Sequence, residues 1–203
     1  MNNKNDRPIL EAALGSGEVV ADILMKGDLL ADIPLIGTAW KICRAGDNIR
    51  QRLFSAKLVA FIQDLDSHSQ GKIDEIKSKI ESSHEEAVKV GETLLMILEQ
   101  ITDMEKPQIL ARLFLSYIDG VISVVELQRI AQGINIAFVE DLKNFLLATD
   151  FEDEDDTRFA NLIATGFVGI RAGSNFDELG QMFYVKTEMG RKLHAAHSHI
   201  PLL

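Results

Sequence analysis

A single cysteine, Cys43, in a chain of 203 residues leaves no partner for an intramolecular disulfide, so the fold must stand on packing and suits a reducing compartment. Long apolar runs are also missing. The greasiest window, 33–43, contains Pro34, Gly37 and Lys41 and is too short to span a bilayer. Glu11, Glu18 and Asp22 interrupt the apolar stretch before it, which removes a secretory core and predicts a cytoplasmic protein. Positive charge is scarce too: 21 basic against 31 acidic residues give a net charge of −10. That balance opposes sequence-independent binding to phosphate backbones and anionic lipid unless basic groups cluster locally.

What is present is helical periodicity. The length suits one compact domain, or a main body with an appendage, burying roughly 70% of the unfolded surface. Residues 10–43 are apolar and punctuated by Gly15, Gly17, Gly27 and Gly37, which fits one or two short helices. Asp47 is placed to cap an amphipathic helix in which Phe54, Leu58, Phe61 and Leu65 recur at helical spacing. A break at 67–71 precedes a shorter charged helix carrying Ile73, Ile76 and Ile80. Ser83 and Glu86 have capping-box spacing ahead of Val90, Leu94, Ile97, Leu98 and Ile101. Thr102 to Glu105 offers another start, with Pro107 tolerated in the first turn, and Leu110, Leu113, Phe114, Tyr117 and Ile118 form the buried face. After an Asp119-Gly120 turn, Ser123 and Glu126 form a further capping box, and Leu127, Ile130, Ile134 and Phe138 continue the stripe to Leu142, Phe145 and Leu146. Residues 83–149 thus read as antiparallel helices with short connections.

Beyond the acidic block 152–156, Phe159, Leu162 and Ile163 predict a short helix. Two strands, 167–171 and 181–186, flank a polar loop, and a last helix begins near Thr187 with Met189 and Leu193. The phrases 162–168 and 184–193 resemble the tail of a winged-helix domain. The expected fold is mainly α, with six to nine helices in all: a helical body over 1–150 and a small β-hairpin in a winged-helix-like appendage over 151–203.

From Gly120 onward, Ile122 and Glu126 repeat the spacing of an EF-hand loop, but Leu115 and Tyr117 stand where carboxylate ligands are required, so the geometry survives without the cation site. Asp119, Gly120, Ser123 and Glu126 in this setting resemble the signature of the TerB-like family of bacterial tellurite-resistance and stress proteins. The resemblance implies a bacterial, cytoplasmic helical module of stress or defence systems that works by interaction and not by catalysis.

Other chemistry is thinly supplied. Gly15-Ser16-Gly17 lacks the Lys-Ser of a phosphate loop, and His84-Glu85-Glu86 lacks the second histidine of a zincin, since Val88 stands there. Cys43 has Lys41 and Arg44 nearby but no neighbouring histidine. His194, His197 and His199 have the spacing of metal ligands without an evident fourth. No catalytic residue, cofactor site or metal site is therefore assigned. Partner binding is expected at Trp40, Phe54, Tyr117, Asp119, Phe183 and Tyr184, where exposed aromatics would be anchors and buried ones only core. The expected partner is another protein or a second copy. An alternative is peripheral membrane contact through 33–40, followed by Lys41 and Arg44. A second alternative is nucleic-acid contact through Arg158, Arg171 and Lys186, against which the overall charge weighs.

Overall fold

The computed structural model describes residues 48–68, 73–148, 157–173, 176 and 180–199. Trp40, Cys43, Asp47, the glycine-rich and apolar segments before them, and the acidic block 152–156 lie outside the described residues. Seven α-helices and one antiparallel strand pair are described: α1 (Ile49–His68), α2 (Ile73–Ser82), α3 (His84–Gln100), α4 (Lys106–Ile118), α5 (Val124–Ile136), α6 (Val139–Leu147), a 3-10 turn (Thr157–Leu162), β1 (Val168–Ala172), β2 (Met182–Lys186) and α7 (Glu188–His199). The molecule is mainly helical with a small two-stranded sheet near its C-terminal end.

α4 is the hub. Twelve of its thirteen residues are buried, all but Gln108, because α1, α2, α5 and α7 pack around it. A helix apolar on nearly every side has no solvent face to offer and becomes a core element. Phe61 of α1 meets Phe114 of α4 with ring centroids 6.4 Å apart, and Phe114 continues to Tyr117 at 6.2 Å. α4 closes in a Schellman arrangement: Gly120 turns at φ 72°, its N–H donates to Tyr117 C=O, and the Val121 N–H donates to Ser116 C=O. α5 then begins with the expected capping box, in which the Glu126 N–H donates to Ser123 Oγ and the Ser123 N–H to Glu126 Oε2.

Other ends depart from expectation. Asn48 caps α1, its Oδ1 accepting from the Gln51 N–H, and Asp47, the expected cap, lies outside the described residues. Ser83 occupies the N-cap of α3 without a side-chain hydrogen bond, and the Glu86 carboxylate accepts from the Tyr117 hydroxyl at 2.8 Å. Phe138 is 66% exposed at the N-cap of α6, so the apolar stripe of α5 stops at Ile134. The helix expected around Phe159 is a six-residue 3-10 turn.

The hairpin pairs Val168 with Lys186 and Ala172 with Met182, within a residue of the expected strands. Its base is locked by Thr187, whose hydroxyl donates to Gly166 C=O at 2.6 Å while the same oxygen accepts from the Gly190 N–H, which starts α7. Phe159, Leu162, Phe167 and Leu193 belong to the same hydrophobic cluster as α4, α5 and α6.

The two glycines Gly120 and Gly190 separate conformation from space. A Cβ at Gly120 meets nothing, so Gly120→Ala costs only the left-handed backbone, about 1–2 kcal/mol. A Cβ at Gly190 lands on the Phe167 carbonyl oxygen, so Gly190→Ala forces α7 off the hairpin base and costs about 1–3 kcal/mol or more. Urea unfolding of the two variants should rank them in that order.

Candidate functional site

Three regions gather polar or exposed groups, two of them at α4 and the third on the hairpin. The first is the Asp119-Gly120 joint. Asp119 is the C-cap of α4 and helps line an open depression of about 520 Å³ with Glu75, Ser78, Lys79, Ser82 and Ile118. Tyr117 is 4% exposed, so its ring is core, with the Lys79 ammonium 5.2 Å from its centroid. Burial and, after it, the hydrogen bond to Glu86 push the phenol well above its ordinary pKa, so it remains a donor. Glu126 serves two partners: the Lys192 ammonium of α7, and the Ser123 N–H, which together hold its carboxyl at about 2. This carboxylate therefore ties α5 to α7 across the physiological range and loses that contribution only as pH falls from about 4.5 toward 2.

The second region is a buried polar cluster between α1, α4 and α7. Arg112 of α4 donates from Nε and Nη2 to the two Asp64 oxygens of α1, each at 3.3 Å, with side chains 6% and 10% exposed. His68, one turn beyond Asp64, places Nδ1 2.8 Å from the Asp64 carbonyl and 3.5 Å from its carboxylate. On α7, burial first, then the Arg112 guanidinium, then His194 lower the pKa of His197 to about 4. Arg112 Nη1, His68 Nε2 and His197 Nδ1 are buried without hydrogen-bond partners. Sequence reading missed this cluster because its three helices contribute residues 44 to 133 positions apart and each looks ordinary alone. The one legible signal was an arginine within the apolar run 109–118.

Elsewhere the buried cations finish helices. Lys57 donates to Glu99 C=O and Ile101 C=O at 2.8 Å, at the end of α3, and Lys106 donates to Asn135 C=O at the end of α5. Such ends carry partial negative charge, and a cation there satisfies carbonyls that the helix leaves open. Burial lowers the pKa of both lysines.

The third region is the hairpin. Phe183 is buried and Tyr184 packs against the core from a half-buried position, as does Phe54 on α1. Register places Ile170 opposite Tyr184 and Ala172 opposite Met182, so these four share one face. Ile170 is 53% exposed and Met182 60%, and Phe176 in the connecting loop is 93% exposed. Of the basic residues expected to touch nucleic acid, Arg171 lies 4.6 Å over the Phe183 ring, and Lys186 donates to Ala148 C=O at the end of α6. Arg158 falls in the 3-10 turn, with its side chain outside the described set. His194 also reaches Ala148 C=O, at 3.0 Å, and the side chain of His199 lies outside the described set. Among the described residues no group of three or more His, Cys, Asp or Glu side chains is placed to share a metal ion, and no helix is long and apolar enough to cross a membrane. Comparison with protein-family models, with curated proteins and with solved structures finds no match.

The Asp64–Arg112 pair sets a testable asymmetry. Arg112→Met leaves a carboxylate buried without its cation and should lower stability by about 3–5 kcal/mol, whereas Asp64→Leu with Arg112→Met should regain most of that loss. Urea unfolding of the single and double variants at pH 7 measures both.

Proposed function

We propose that the chain is a non-catalytic interaction or regulatory protein acting through protein–protein contacts, in the bacterial stress or phage-defence setting that its TerB-like resemblance implies. The observation that carries this reading is the hairpin face of Ile170 and Met182, with Phe176 beyond it. Large apolar side chains gathered on one exposed face are surface that a partner covers. A docking role is further supported by where the charged groups go: the buried lysines close helix ends, Arg112 is paired with Asp64, and Glu126 is paired with Lys192. General acid–base work needs titratable groups of unlike environment converging on an open cleft, and these groups are spent on helix-to-helix ties. A protein partner is favoured over nucleic acid because Arg171 and Lys186, the cations a wing would use, lie against Phe183 and Ala148.

The test is Ile170→Asp with Met182→Asp in the full chain. Both positions are more than half exposed, so the melting temperature should stay within a few degrees of wild type. A protein that co-purifies with the tagged wild-type chain from its native host should bind the double variant at least about tenfold more weakly. Equal recovery by both chains would rule out the hairpin face as the docking surface.

A further inference from the structure

α1 is buried on the side that faces away from the bundle. Its inward side is fixed by three contacts: the Phe61 ring meets Phe114 of α4, Asp64 takes Arg112 of α4, and Lys57 reaches carbonyls at the end of α3. At 3.6 residues per turn, Val59 lies roughly 160° round the helix from Phe61, and Ala56 roughly 140°. Yet Val59, Ala56 and Ile62 are each 1% exposed and Ser55 7%. Among the described elements α1 packs on α4 and α3, both on the Phe61 side, and no other makes more than a marginal contact with it. A helix buried on opposite sides needs a second cover. These residues are buried within a single copy of the chain, so the cover is supplied by the same chain. The face it meets is apolar, because the Ser55 hydroxyl donates to the Gln51 carbonyl of its own helix at 2.8 Å. Small side chains at Ser55 and Ala56 also let another backbone approach closely.

We propose that the apolar window 33–43 is this cover, folding back along α1 to lie over Ala56, Val59 and Ile62. This does not rest on the docking reading above. The window brings Ile33, Leu35, Ile36 and Trp40, the kind of surface that such a face excludes from water. The connection is long enough. Extended backbone spans roughly 3.3 Å per residue, so 44–48 reach about 16 Å, whereas Ala56 stands about 10 Å along the helix axis from Ile49. Attachment next to the site also gives the window a high effective concentration there, which a separate partner would have to overcome. The other stretches outside the described residues after α1 are shorter than this window, and the longest of them, 149–156, is acidic. Folded back in this way, Trp40 and its neighbours are withheld from lipid, contrary to the peripheral membrane alternative.

The test uses the full chain with methyl labelling. Nuclear Overhauser contacts should run from the Val59 methyls to protons of residues 33–43. Contacts from Val59 to 200–203 alone, contacts seen only between labelled and unlabelled chains in a mixed sample, or no contact to 33–43 would each overturn the proposal. Trp40, the only tryptophan, gives a second readout. Its emission should be blue-shifted and poorly quenched by acrylamide in wild type, and Val59→Asp should raise the quenching constant at least about threefold while Ile170→Asp leaves it unchanged. Where Val59→Asp fails to fold, the contacts in the wild-type chain decide. A Trp40 that is freely quenched in wild type and becomes shielded only when anionic vesicles are added would overturn the proposal in favour of membrane contact.

Discussion

The burial of α4 on nearly every side is the constraint from which the remaining structure follows. A helix without a solvent face must find partners for each polar group it carries, because an unpaired donor or acceptor in the interior costs about 1–3 kcal/mol. Lys106 goes to the end of α5, Arg112 to Asp64 of α1, Ser116 to the backbone of α7, and Tyr117 to Glu86 of α3. Each polar side chain of the hub therefore specifies a different neighbour. Apolar packing alone would allow these helices to rotate about one another, and the four polar ties fix their placement.

A second regularity concerns charge. The chain has an excess of ten acidic residues, yet among the described residues two of the three buried cations, Lys57 and Lys106, sit at carbonyls that helices leave open, and the third, Arg112, pairs with Asp64. Lys57 ends α3, Lys106 ends α5, and Lys186 with His194 ends α6. Among the described residues no aspartate or glutamate is buried, and the exposed apolar positions include Phe138, Leu147 and the hairpin face.

Much of the fold was legible because it is local. The Ser123–Glu126 capping box, the break after His68 and the alternation of the hairpin all depend on residues within a few positions of each other. What could not be read depends on who packs against whom. Glu86 reaches across to the Tyr117 hydroxyl of α4, and Ser83 makes no side-chain cap. Phe138 fits the helical stripe by spacing but falls at a chain reversal, and so points to water. The aromatics expected as anchors divide in the same way: Tyr117 and Phe183 are core, while the exposed apolar positions of the hairpin are Ile170 and Met182, which composition alone does not single out.

The seating of α7 has a consequence for synthesis. One flank of α4 is covered by Leu193 and Ala196, supplied about 80 residues later in the chain. A nascent chain emerging from the ribosome therefore carries a completed hub with one greasy side bare until α7 appears. Premature termination anywhere between α6 and Thr187 yields a bundle whose uncovered side is sticky, a natural substrate for chaperones and for its own aggregation.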